Sequence, residues 1–592
     1  MSKRQRRRNE KQQRHGRLAP TKRHLAAVGG LTLGASLITG GTAQANTFEV
    51  NSLGDGTDPV NNYVCETATA GECTLRAAIE ESNYDVFSDT ITFASGLSGS
   101  INLTGNLPNI SFDPMYINGP GAGTLTVDGG DNYSIIYSDR VYGYQGNPLF
   151  ISGLTLANGY GGGGGAITNI DSDLTVGSSV ITGSFAFVGG GIYNGYDGSN
   201  GYYGSLSVYS STISGNAAYV GGGILNSTGG DVYDSTIAGN LAFAGGGLAT
   251  YNSHVYTGFF SLGNSTVSGN YAYYPGGGIY DGRAPYDHYG LHDHIGGLDI
   301  SNSTIAGNGA GTDGGGVYEN PNNTSSTYFF YGSPFPYTYN TIVADNSAVG
   351  LGPDVFGTLE SGFTLLENSS SATLNSNGGP NIVGQDPQLF PLGNNGGATF
   401  THELAPTSPA VDKGSNYDGS YDQRGAPRPF DFSTIANADD GSDIGAFELQ
   451  PGDIASAGAG GGGGGAGVTA PKCKGKTATI FARPGLARTF AGTNKRDVIV
   501  GTTKKDKINA RGGNDLVCAK GGNDTVKGGG GKDKLLGQGG KDTLKGGGGK
   551  DTLKGGGGKD TLLGQGGNDL LSGGGKNDTC IGGAGKDTEK SC

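Results

Sequence analysis

The sequence predicts an all-β protein, a right-handed parallel β-helix followed by a parallel β-roll. Three observations carry this. Glycine supplies 118 of the 592 residues with only 22 Pro and no G-X-Y period, which excludes collagen. An ordinary helical globule is excluded as well, because each interior Gly costs a helix ~1 kcal/mol. A motif of the form S-T-I-x-G-N recurs at Ser211, Ser235, Ser265 and Ser303, at intervals of 24, 30 and 38 residues. Beyond Gly492 an Asp falls on every ninth position, from Asp497 to Asp587.

Residues 1–45 have the form of a secretory signal. Residues 1–46 hold 10 basic side chains and 1 acidic one, an apolar run spans Leu25 to Ile38, and Ala43-Gln44-Ala45 supplies a small-x-small cleavage pattern. No later segment is long and apolar enough for a transmembrane span. The expected product is secreted or extracellular, free or held at the cell surface. Its six Cys, an even count in an exported chain, imply disulfides. Cys65 and Cys73 close a short local loop. Proximity pairs Cys580 with Cys592 and leaves Cys473 with Cys518, but the sequence does not decide these two.

Residues 46–450 form the expected β-helix, with an N-terminal cap over about 46–90. Each S-T-I copy offers a short strand with one inward aliphatic: Ile213, Ile237, Val267 and Ile305. A unit of about 24 residues cannot bury this face alone, but stacked copies can. The corner Asn tolerates a left-handed backbone, and its amide can bond its copy on the next coil. The serines read as turn residues. The Gly-Gly-Gly that follows each copy supplies positive φ and close approach of coils. Leu75, Ala78 and Ile79 have i, i+3, i+4 spacing and predict a short helix capping the open end of the stack.

Two motifs add a resemblance. Cys73-Thr-Leu-Arg-Ala-Ala-Ile79 resembles the CSLREA motif near the start of many exported bacterial β-helix proteins. Ser408-Pro-Ala-Val-Asp-Lys-Gly414, Asp422-Gln-Arg-Gly425 and Asp443-Ile-Gly-Ala-Phe-Glu448 resemble the choice-of-anchor Q pattern. Both imply a β-helix at a bacterial surface and neither implies a reaction.

Residues 451–470 are a Gly-rich linker, and 471–592 carry the nine-residue frame. An aliphatic follows each Asp by two positions, from Ile499 to Leu571. The frame is similar to the repeats-in-toxin nonapeptide, G-G-x-G-x-D-x-U-x, which implies a calcium-binding β-roll. Turn carbonyls and carboxylates are hard oxygen donors suited to Ca²⁺. The expected ligands are Asp515, Asp524, Asp533, Asp542, Asp551, Asp560, Asp569 and Asp587. Two nonapeptides make a coil, so Asp533, Asp551 and Asp569 line one side and Asp524, Asp542 and Asp560 the other. Lys precedes Asp at 532, 541, 550, 559 and 586, a cationic neighbour unusual for such repeats.

Charge divides along the same boundaries. Residues 47–450 balance at −32 (6 basic, 38 acidic) and residues 451–592 at +10 (23 basic, 13 acidic). The acidic helix argues against nucleic acid as a partner. Cell-envelope polymers, glycans and host or neighbouring surfaces are the expected partners, in an adhesion or presentation role without catalysis. The alternative is an extracellular polysaccharide lyase or glycoside hydrolase using a β-helix groove. Its local candidates are Asp287, His292 and Asp293, in an insertion where three His fall within seven residues. A solvated inter-coil loop explains that insertion equally. Tyr202, Tyr203, Tyr271, Tyr273 and Tyr274 offer an aromatic surface for sugar stacking.

Overall fold

A computed structural model describes residues 45–592 except 85–87, 111–113, 140–147, 197–203, 252–258, 283–296, 321–335, 377, 417–418, 454–471, 478–479, 482–488, 492–495 and 502–504. The signal segment, Asp287, His292, Asp293, Tyr202, Tyr203 and nearly all of the linker lie outside the described residues.

One coil shows the winding rule. The strands Leu206–Tyr209, Thr212–Ser214, Ala217–Val220 and Ile224–Asn226 each pair in parallel with a strand of the next coil, as in Ile213↔Ile237 and Ile224↔Leu248. Repetition builds sheets of 19, 11 and 7 strands among the described residues, the first holding two ladders joined through Val355–Gly362. The fold is the right-handed parallel β-helix expected from the repeats, with coils ~4.8 Å apart. Ile213, Ile237, Val267 and Ile305 are fully buried in one continuous core. Register places Ile305 opposite Val343, 38 residues on, so the stack continues one coil further with Thr341 in the place of Ser303.

Two polar ladders run beside this core. The backbone N–H and Nδ2 of Asn216 both donate to Oδ1 of Asn240, and the pattern repeats through Asn270, Asn308 and Asn346 at 2.9–3.0 Å until Asp354 ends it. The left-handed corner expected at Asn falls instead on the Gly before it, at 215, 239, 269 and 307, where φ is 65–70°. That leaves the Asn side chain free to lie along the stack. The motif serines, read as turn residues, form a second ladder: Ser211 N–H donates to Ser235 Oγ, Ser235 to Ser265, and Ser265 to Ser303, each at 3.1 Å.

At the N-terminal end, helix α1 (Leu75–Ser82) is capped by Thr74, whose hydroxyl accepts from Ala77 N–H. Leu75, Ala78 and Ile79 join the helix core, so the expected cap is present. Arg76 anchors it through Asp55 at 2.7 Å and the carbonyls of Gly105 and Asn106, beside the Cys65–Cys73 disulfide.

The last paired strand of the helix is Ile382–Val383. Residues 384–453 then lie along the outside of the 11-stranded sheet, held by a column of outward hydroxyls. Thr236 Oγ1 donates to the Phe400 carbonyl, Thr266 Oγ1 to Gln423, and Thr304 Oγ1 accepts from Ala446 N–H. The motif residues of this segment form its internal ties. Arg428 pairs with buried Glu448 at 3.1 Å, and Arg424 bonds Asp422 and sits 3.5 Å above the Phe447 ring.

The C-terminal repeats wind as a roll of two parallel sheets, with 7 and 6 strands. Partners stand 18 residues apart, as in Leu535↔Leu553 and Leu544↔Leu562. Their aliphatics make a separate core from Ile499 to Leu571. Disulfides Cys473–Cys518 and Cys580–Cys592 hold its two ends.

Candidate calcium site

In each nonapeptide from Ala510 onward two turn positions are left-handed. In Gly528–Asp533 these are Gly529 (φ 107°) and Gly531 (φ 126°), and a Cβ on either would overlap a carbonyl of the preceding coil. The first position is confined for another reason. A Cβ at Gly528 would meet Asp533 Oδ2 at 2.5 Å and the Gly546 carbonyl at 2.6 Å. Glycine there keeps open a space on which one carboxylate oxygen and one backbone carbonyl converge. The arrangement repeats at Gly537, Gly546, Gly555 and Gly564.

From Asp515 to Asp578 the stacked Asp use their oxygens unequally. Oδ1 accepts the backbone N–H of the Asp one coil earlier, as in Asp515 N–H to Asp533 and Asp533 N–H to Asp551 at 2.9 Å. Oδ2 has no hydrogen-bond partner in Asp515, Asp524, Asp533, Asp542, Asp551, Asp560, Asp569 or Asp578, although all eight are buried. Burial pushes the carboxyls of Asp515, Asp533, Asp542 and Asp551 up to about 6 and that of Asp524 to about 7, with neighbouring Asp adding to the rise and the N–H bond opposing it. A buried carboxylate with an orphaned oxygen needs either a proton or a cation.

The donor set therefore fits Ca²⁺, a hard cation that takes oxygen ligands in flexible geometry. Carbonyls must supply much of the shell, since among the described residues no three acidic, His or Cys side chains are placed so that they could hold a metal ion by themselves. When bound, the ion supplies positive charge that the orphaned oxygens lack. Sequence reasoning passed over Asp578, whose turn has Lys576 at the second left-handed position (φ 92°). Its buried, orphaned Oδ2 equals those of its neighbours; position in the nine-residue frame was the available signal. Asp587, in contrast, is only half-buried in the last coil. Asp515 and Asp524 carry Ala510 and Ala519 at the first position, where the other turns have the Gly that leaves the space open. The five Lys that precede Asp are exposed, and Lys532, Lys541 and Lys586 bond the Asn of the preceding coil only through their backbone N–H.

These contacts predict the effect of one methyl group. Gly546→Ala would press on Asp551 Oδ2 at 2.5 Å and the Gly564 carbonyl at 2.8 Å. Equilibrium dialysis should then find about one bound calcium ion fewer per chain. An unchanged count would mean that the space over this Gly is not part of a site.

The RTX calcium-binding nonapeptide repeat matches four times, at residues 492–526, 519–553, 527–562 and 554–589. No curated protein matches the chain. Among solved structures the chain is similar to the crystal structure of pectate lyase Pel9A, at 13% identity and a TM-score of 0.34, over 69% of this chain and 98% of that one. The C-terminal segment thus carries calcium-binding repeats of the RTX type, behind a parallel β-helix.

Proposed function

We propose that this is an exported, calcium-dependent adhesion or presentation protein without catalytic activity. Its β-helix is a rigid display surface, and its roll folds around calcium outside the cell. The observation that carries the reading is the column of buried Asp whose Oδ2 oxygens have no partner. Such a column suits a compartment where calcium is abundant, and three disulfides suit an oxidising one. The CSLREA-like start and the choice-of-anchor-Q-like end fit a bacterial surface. The basic roll, exposing Lys at 532, 541, 550, 559 and 586, is suited to anionic envelope polymers. Retention of the full chain on bacterial envelopes should need millimolar calcium and weaken with salt. Equal retention in chelator removes the calcium-dependent reading.

A second reading has one observation in its favour. Asp345, Asp354, Glu367 and Asp386 line a single cavity, and burial pushes the Asp354 carboxyl up to about 7. A carboxyl raised by burial with a second acidic side chain nearby is the kind of pair that glycoside hydrolysis uses. Reducing-end release from a polysaccharide panel, abolished by Asp354→Asn, would establish this reading in place of the first.

A further inference from the structure

The 7-stranded sheet carries a feature that neither reading uses. Its strands run from Tyr160–Gly161 to Ser347–Ala348, and none of the seven contains a charged side chain. In the triplets Phe185–Phe187, Ala217–Tyr219, Leu241–Phe243 and Tyr271–Tyr273 the middle residue is an inward Ala: 186, 218, 242 and 272 are all buried. The outward residues on either side form two columns along the stack. One begins with Tyr160 over Phe185, ring centroids 5.9 Å apart. The other runs from Phe187 to Tyr219 (5.3 Å), Phe243 (4.5 Å) and Tyr273 (5.5 Å). Phe187 is 64% exposed, and the other rings of both columns are exposed too.

Between the columns lies a groove of about 330 Å³ with Tyr160 and Phe185 on one wall, Phe187, Tyr219 and Phe243 on the other, and Ala186 in its floor. This falls within the ~300–1,000 Å³ range of ligand pockets. Register sets Gly161 opposite Ala186, and a Cβ on the following Gly162 would meet nothing within 4 Å, so that end is open. A contiguous exposed aromatic surface of this kind marks an interaction site.

We infer that this groove binds a neutral, extended β-linked glycan. Charge narrows the partner first. The face itself is uncharged but sits on a helix with a balance of −32, whose field repels anionic polymers and acidic membranes. Side-chain chemistry narrows it further. Aromatic bodies with tyrosine hydroxyl tips match a sugar, which has apolar C–H faces and a hydroxyl rim. Rings follow one another along the columns at 4.5–5.9 Å, close to the rise per sugar in such chains, and they stack on one another, so an extended chain lies between the columns with its C–H faces against the ring edges. The inference gives the adhesion reading its ligand class and rests on that reading for its biological setting.

The test uses the full chain in millimolar calcium, with microcrystalline cellulose in pull-down and a soluble mixed-linkage β-glucan in affinity electrophoresis. Polygalacturonate serves as the anionic comparison. The wild-type chain should be retained by a neutral probe, and the Phe187→Ala, Tyr219→Ala, Phe243→Ala triple variant should bind at least about tenfold more weakly. Should the triple variant lose its β-sheet circular dichroism, Phe187→Ser at its exposed position replaces it, with a weakening of about threefold expected. The inference is overturned if neither neutral probe is bound, if polygalacturonate binds as well, or if the variants bind unchanged. It is also overturned if the wild type sediments as a dimer that the substitutions dissociate, which would make the face a contact between copies. Calcium-dependent retention on envelopes is read separately. Its loss with glycan binding intact removes the adhesion reading, and the converse removes only this inference.

Discussion

Chelating calcium at about pH 7.5 is expected to unfold residues 496–592 while leaving the β-helix intact, read by hydrogen exchange of the full chain. The two parts differ in how they satisfy their buried polar groups. In the helix, each ladder Asn finds both donor and acceptor partners inside the protein. In the roll, the eight Asp from Asp515 to Asp578 each leave one buried oxygen without any. With carboxyls held at about 6 to 7 against an ordinary 3.8, this contribution to stability is complete below about 3.8 and lost as pH rises through 6–7. At neutral pH the stack therefore opposes folding until a cation replaces the proton. Acid should do the same: the chelated chain at about pH 4 should regain slow exchange in strands such as Lys534–Gly539 and Thr552–Gly557. Equal exchange with chelator and with calcium at neutral pH would show that Leu stacking alone holds the roll.

Much of this was legible in the sequence because both halves repeat, and a period fixes which residues share a column. Eleven Asp on a nine-residue frame gave the roll, its 18-residue coil and most of its candidate ligands. What a period cannot give is which atoms meet. The serines of S-T-I looked like turn residues because Ser is common in turns; only stacked coils show each Oγ accepting the N–H of the Ser one coil earlier. The aromatic face was legible only in part, through Tyr271 and Tyr273. Its fuller signal was there in the triplets F-A-F, A-A-Y, L-A-F and Y-A-Y at 185, 217, 241 and 271. Coil insertions of varying length separate these triplets, so no fixed interval brings them into one column.

Asn270→Ala is expected to destabilise the β-helix by about 3 kcal/mol or more, as much as truncating a core aliphatic, although it removes almost no apolar surface. Asn270 Oδ1 accepts both the backbone N–H and the Nδ2 of Asn240, and its own Nδ2 donates to the Ile237 carbonyl and to Asn308 Oδ1. Asn240 and Asn270 are each only 1% exposed. Alanine therefore strands two donors and one acceptor where water does not reach them, at about 1–3 kcal/mol each. Stacked repeats are stabilised mainly by their immediate neighbours, so the loss should be local. Hydrogen exchange should quicken around strands Thr236–Ala238 and Thr266–Ser268, more than in coils near the capped end. Asn270→Asp separates the contributions. It keeps the oxygen for Asn240 and loses the amide donor to the Ile237 carbonyl and to Asn308 Oδ1, so its urea midpoint should fall between those of wild type and Asn270→Ala. Equal midpoints for Asn270→Ala and wild type would mean that the inward aliphatics hold the coils and that the amide column merely follows them.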